Sequence, residues 1–363
     1  MNFHLRVDRL RAVLEKEGIE GFAVINIEGS DSLNLRYLTG FAGTFGILII
    51  TPREQVLMTD SRYLERVKQE TAGFEIVELK GNWAERLGEQ LKSLGLKRIG
   101  VNDLTISLHD AGQLREKAEV EPLPLEGPVE KLRLRKDEGE IEKIKEAVAL
   151  TDRAFAHALE FLHPGMSERE VAWELEKWLR EHGSDGLAFP SIVAAGPNSA
   201  LPHATPSDRP IAEGDLLLLD IGARYEGYCA DMTRVVAIGR PAKRQMEIHE
   251  VVRRAQERAL EGIKPGMTGV EADRLAREVI EEAGLAEHFG HGLGHGVGLA
   301  VHEGPRLSPF AEKKDLLEPG MVVTVEPGVY LVGEFGVRIE DLTVVREGGL
   351  EVLTNSSKEL LAV

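Results

Sequence analysis

The chain has 363 residues, enough for two domains or one large one with a sizeable core. Its 42% apolar and 29% charged residues are those of a globular protein, and a formal net charge of −17 argues against the clustered basic surface that nucleic acid or an anionic membrane requires. A single cysteine, Cys229, excludes an internal disulfide and suits a reducing cytoplasm.

In chain order, MNFHLRVDRLRAVLEKEG predicts an amphipathic helix and lacks the apolar core of a signal peptide. Runs such as FGILII and LLLL are too short to span a membrane. Helical and strand patterns then alternate to about residue 120. Phe45 to Ile50 predicts a buried strand, and NWAERLGEQLKSLG a helix stopped at Gly95. Three prolines and a glycine between Glu119 and Leu132 predict a boundary, giving domains over 1–125 and 126–363. RKDEGEIEKIKEAVALTDRAFAHALEFL follows with long helical periodicity.

The second region contains a repeat. PGMSEREVAWELEKWLREHG begins at Pro164 and PGMTGVEADRLAREVIEEAG at Pro265. Ser167 with Glu170, and Thr268 with Glu271, have the spacing of capping boxes, and each predicted helix ends at a glycine. GDLLLLD runs to Asp220 and GMVVTVE to Glu326, each a glycine, an apolar strand and a carboxylate. Each is followed by a returning strand with a second acidic position, in CADMTRVV and RIEDLTVV. Two matches in the same order predict a domain of two related α+β halves.

Such a duplication brings Asp220, Asp231, Glu326 and either Glu340 or Asp341 together. Spacing leaves that last choice open, because ADMT aligned with EDLT pairs Asp231 with Asp341. Converging carboxylates repel and raise one another's pKa unless divalent cations lie between them. Near them falls GHGLGHGVGLAVHEGP, from Gly290 to Pro305. Its alternate glycines disfavour a helix by roughly 1 kcal/mol each, so His291 and His295 do not form a helical HExxH site. An extended strand is predicted, with His291, Leu293, His295 and Val297 on one face and a bend or bulge before His302. Glycine on the other face lets a backbone or a substrate approach closely. Trp178 continues an apolar helical stripe and Trp173 lies off it; His157, His182 and His249 read as solvated, and Cys229 as packing.

The segments LPHATPSDRPIAEGDLLLLDIGARYEGYCADMTR, GHGLGHGVGLAVHEGP, VEPGVY and GVRIEDL resemble the pita-bread metallopeptidases, specifically the Xaa-Pro peptidases prolidase and aminopeptidase P. The resemblance covers nearly the whole chain; YLTGFAGTFG and TDSRY resemble the creatinase-type N-terminal domain. It implies an α+β pita-bread catalytic domain with an internal pseudo-twofold, preceded by a smaller α/β domain. It also implies two divalent cations, Mn²⁺ or Co²⁺ before Zn²⁺ or Fe²⁺, held by Asp220, Asp231, His295, Glu326 and Glu340, which favours Glu340 over Asp341. Glu326 would in addition shuttle a proton. His203 and His302 match catalytic histidines, His291 a third nearer the substrate, and Arg338 a supporting arginine. The implied activity is hydrolysis of the bond preceding proline in small peptides with proline second, by a cytoplasmic homodimer that binds neither nucleic acid nor membrane. Other readings are a related aminopeptidase without proline specificity and a catalytically silent binding module, which loses metal ligands where this chain keeps all five.

Overall fold

The apolar run at Phe45 becomes the strand Gly46–Ile50, buried at every position, in a computed structural model that describes residues 3–312 and 315–363. The chain divides into two compact units, Met1–Arg133 and Leu134–Val363. In the first, six strands lie in the order Glu75–Glu78, Gln55–Thr59, Gly46–Ile50, Phe22–Asn26, Arg98–Asn102, Glu121–Leu125. The first predicted helix runs Phe3–Lys16. The next forms as Trp83–Ser93, where Asn82 caps the start by accepting from the Ala84 and Glu85 amides and Gly95 takes φ +76° beyond the end.

The proline-rich segment is not a linker, and the division falls after Arg133 rather than at residue 125. Pro122 and Pro124 lie in the edge strand Glu121–Leu125, where a missing N–H costs least. The helix Pro128–Arg133 is tied back when Glu130 Oε1 accepts from Asn34 (2.7 Å) and Asn102 (2.8 Å).

The second unit repeats one plan. A long helix, Glu138–Phe161, a capped helix, Glu168–Glu181, and a four-stranded sheet form the first half; Lys243–Gly262, Gly269–Glu282 and a five-stranded sheet form the second. Both capping boxes close, with Ser167 N–Glu170 Oε2 and Thr268 N–Glu271 Oε2 each at 2.8 Å. Ser167 bridges Pro210 and Thr268 bridges Leu316, each four residues ahead of its strand glycine, Gly214 or Gly320.

The run LLLL is continuous because its strand, Leu216–Ile221, is buried on both faces. Leu217 and Leu219 pack with Val171, Leu175 and Leu179, whereas Leu216 and Leu218 face the other core with Val252, Val323 and Val325. Each such leucine contributes roughly 1.5–3 kcal/mol on burial. Acids at the strand ends are therefore held on a rigid frame. Among the described residues no helix is long and apolar enough to cross a membrane.

Candidate metal centre

Asp220 sits at the end of Leu216–Ile221, directly opposite Thr233 of the antiparallel strand Met232–Ala237, and Asp231 immediately precedes that strand. In the second half, Glu326 follows Val322–Val325 and Glu340 precedes Asp341–Arg346. Ligand atoms of Asp231, His295 and Glu340 all lie within 4.8 Å of one another. His295 Nε2 is 3.3 Å from Glu326 Oε1 and 3.6 Å from Asp231 Oδ2.

The glycine-rich stretch explains how His295 arrives there. Only Gly294–Gly296 forms a strand, with a register shift between His295 and Gly296, so His291 does not share its ladder and Leu293 packs into the core instead. The close approach is backbone: a Cβ on Gly294 would strike the Thr324 carbonyl, and one on Gly296 the Gly304 carbonyl. Thr324 Oγ1 accepts from the His295 amide (3.0 Å) and donates to Glu326 (3.2 Å).

Burial, with Glu340, Asp220 and Glu326 close by, pushes the Asp231 carboxyl well above its ordinary range, and burial beside Glu326 and Asp220 does the same to Glu340. Glu326 is pushed up to about 7, mainly by burial and partly offset by Arg338. Burial lowers His295 and His302, keeping both imidazoles neutral at pH 7.

This donor set fits divalent cations. His295 Nδ1 faces the Gly296 carbonyl at 3.1 Å, so it carries the proton and turns the Nε2 lone pair toward the carboxylates, an arrangement that calls for a cation. Asp220 Oδ1 is buried without a hydrogen-bond partner among the described residues. Four carboxylates and one imidazole form an oxygen-rich, fairly hard site.

Arg338 links the centre together. Its Nη2 donates to Asp220 Oδ2 (2.6 Å), Nη1 to the Tyr330 hydroxyl (2.8 Å) and Nε to Thr233 Oγ1 (2.9 Å); Thr233 Oγ1 in turn donates to Glu340 Oε2 (2.7 Å). The Tyr330 hydroxyl lies 2.9 Å from His291 Nε2, and His291 Nδ1 is 2.8 Å from the Gly292 carbonyl. Both ring nitrogens of His291 are therefore engaged within the protein, and burial lowers its pKa to about 4. His302 is open to solvent on one side and desolvated on the other, with its ring 4.2 Å from that of His295. His203 is exposed on the loop after Ala195, close enough to influence the charge of Glu326 and His302.

Spacing left Glu340 and Asp341 open, and the family resemblance favoured Glu340. Asp341 points away from the acids, into Arg234 at 2.6 Å, so it is Glu340 that completes the cluster. Fully buried Glu168 accepts from the amides of Ala195 (2.8 Å) and Ser207 (3.0 Å), pinning both ends of the His203 loop. Tyr330 stands in the VEPGVY segment and Thr233 in ADMT, but neither spacing nor charge marked them. Of the histidines expected to be solvated, His182 is exposed yet stacked on Trp178 at 3.9 Å, and His157 is half-buried between Phe161 and Trp178. His249 is buried, its pKa pushed down to about 4 by that burial. Trp173 is exposed; Cys229 is fully buried and packs as expected.

Residues 142–347 match the family described as Metallopeptidase family M24, and residues 6–135 match the Creatinase/Prolidase N-terminal domain. A Xaa-Pro dipeptidase of Pyrococcus furiosus is 36% identical over 98% of this chain and 99% of its own length. Among solved structures, a Xaa-Pro dipeptidase from Bacillus anthracis superposes with a TM-score of 0.96 at 42% identity, covering 100% of both chains. An X-Pro aminopeptidase from Thermotoga maritima gives 0.92 at 42% identity, covering 99% and 100%. Fold and centre together define a metal-dependent peptidase with a creatinase-type N-terminal domain and a pita-bread catalytic domain. The chain belongs to metallopeptidase family M24.

Proposed function

We propose that this protein is a Xaa-Pro peptidase, hydrolysing the amide bond before proline in short peptides. The observation that carries the reading is the buried Asp231, His295 and Glu340 cluster, joined by Asp220 and Glu326, in a chain similar throughout its length to Xaa-Pro peptidases. Asp220, Asp231, His295, Glu326 and Glu340 would hold two divalent cations, Mn²⁺ or Co²⁺ for so oxygen-rich a site. When bound, such cations supply Lewis acidity and a water that ionises near neutral pH.

The chain's own groups do the rest. Glu326, its Oε1 3.3 Å from His295 Nε2, accepts a proton from the attacking water at a carboxylate oxygen and passes it to the departing proline nitrogen. Neutral His302 offers a ring N–H to the carbonyl oxygen as negative charge grows there. His203, on its Glu168-pinned loop, orients the peptide. Arg338 fixes Asp220 while offsetting the acids' repulsion, and His291, nearer the substrate, holds the Tyr330 hydroxyl. Following the family resemblance, the enzyme works as a cytoplasmic homodimer, and a lone buried cysteine suits that compartment.

Hydrolysis of Ala-Pro and Ala-Pro-Ala, side by side with Mn²⁺-loaded and chelator-stripped protein, tests this. Metal-dependent cleavage of the dipeptide alone identifies a dipeptidase, and cleavage of the tripeptide an aminopeptidase. Cleavage of neither removes the proline assignment.

A further inference from the structure

Glu340 lies with Ile339 in the two-residue gap between the strands Phe335–Arg338 and Asp341–Arg346, and so outside both ladders. Its main-chain groups need partners from elsewhere. The N–H donates to the Thr233 carbonyl (3.1 Å), and the C=O accepts from Arg234 Nη1 (2.5 Å). Arg234 spends its remaining donors around the same point: Nη1 also on the Thr233 carbonyl (2.9 Å), Nη2 on Asp341 Oδ1 (2.6 Å) and the Ser356 carbonyl (2.9 Å), Nε on the Ser357 carbonyl (3.0 Å). The other oxygen of Asp341 accepts from Gln256 Nε2 (2.7 Å) and Lys358 Nζ (3.1 Å). Arg234 is 2% exposed and Asp341 1%.

We infer that the Arg234–Asp341 pair, braced by Gln256 and Lys358, is a positioning clamp that sets the distance between Glu340 and Asp231. The inference rests on the metal-centre reading given above. Arg234 stands three residues after Asp231 on one half and grips the carbonyl of Glu340 from the other. The strand Met232–Ala237 already has its own ladder with Leu216–Ile221, so the guanidinium is not needed to pair that strand. Its partners are instead carbonyls beside the acids and in the segment Ser356–Ser357. A planar guanidinium can span five acceptors on three segments, whereas an ammonium is a point charge that cannot. Cation sites tolerate displacements of only about 0.5 Å, so loosening Glu340 should weaken one cation while leaving the other ligands in place.

The test is Mn²⁺ titration calorimetry on the chelator-stripped full chain, its Arg234→Lys variant and its Lys358→Met variant, with circular dichroism to verify folding. The expected result is that Arg234→Lys weakens one Mn²⁺ equivalent by about 10- to 100-fold. Turnover should fall while KM changes little. Lys358→Met, at the clamp's half-exposed rim, should move the same way by less. Folded variants with the parent's two affinities overturn the inference. If Arg234→Lys does not fold, Lys358→Met decides, and an unchanged affinity there overturns it equally. A parent chain that binds no Mn²⁺ removes the metal-centre reading itself, an outcome distinct from equal binding by parent and variants.

Discussion

At the scale of single residues, the centre is costly when empty of cations. Asp231 and Glu340 are held well above the ordinary carboxylate range, and Glu326 moves from 4.5 to about 7. A carboxyl raised in the folded state keeps a proton that the unfolded chain has already released. Stability of the metal-free protein therefore falls as pH climbs from the ordinary carboxylate value through about 7. Cations displace those protons, so their stabilising effect grows over the same interval. The Tm difference between Mn²⁺-loaded and chelated protein should widen from about pH 5 to about pH 7.5; a constant difference contradicts the assignment. Asp220 and Glu326 were legible in the sequence because each ends an apolar run behind a glycine. Glu340 and Asp341 could not be separated by spacing, since both occupy the return from the hairpin. Register decides the matter: Asp341 pairs across from Val325 and turns to Arg234, while Glu340 stays outside the ladder. Thr233 and Arg234 were hidden because most of their side-chain partners lie more than one hundred residues away, between Arg338 and Ser357.

At the scale of elements, the glycine-rich stretch shows what periodicity can and cannot reveal. Alternation indicated extended chain and close approach, and the bulge needed before His302 is present. The extent of the strand was overread, because irregular backbone around His291 is fixed by Arg277, which donates to the carbonyls of Phe289 (2.9 Å) and His291 (2.7 Å). The glycines are not equivalent. Gly290 has open space where a Cβ would stand, whereas Gly296 abuts the Gly304 carbonyl. Gly290→Ala should leave Tm and turnover near parental values. Gly296→Ala should lower stability by at least ~2 kcal/mol, in the range of overpacked interiors, and displace His295. Urea unfolding of the two variants checks this, and equal midpoints would count against the packing described. The capping boxes, by contrast, were fully readable, because their chemistry is local.

At the scale of the whole molecule, two units with separate cores carry one reactive centre. Unit one has its apolar cluster around Ile47, Leu87 and Ile99; the acids all belong to unit two. Hydrogen exchange followed by mass spectrometry, with and without Mn²⁺, should therefore show added protection in peptides from 134–363. Those from the first unit's sheet should be unchanged, and protection spread evenly over both units would contradict this localisation. The boundary was the least legible feature at this scale. Prolines announce a break in helix or ladder, and here they mark an edge strand that still belongs to the first sheet.

The packing of Gly294 and Gly296 also has a genetic side. Every missense change of a glycine codon by one base introduces a residue with a Cβ, and neither position has room for one. These codons can drift only through synonymous bases, while the codon for Gly290 is open to change. The short strand that carries His295 is thus sheltered from gradual exploration, and a lineage that alters it must move the facing backbone in the same step.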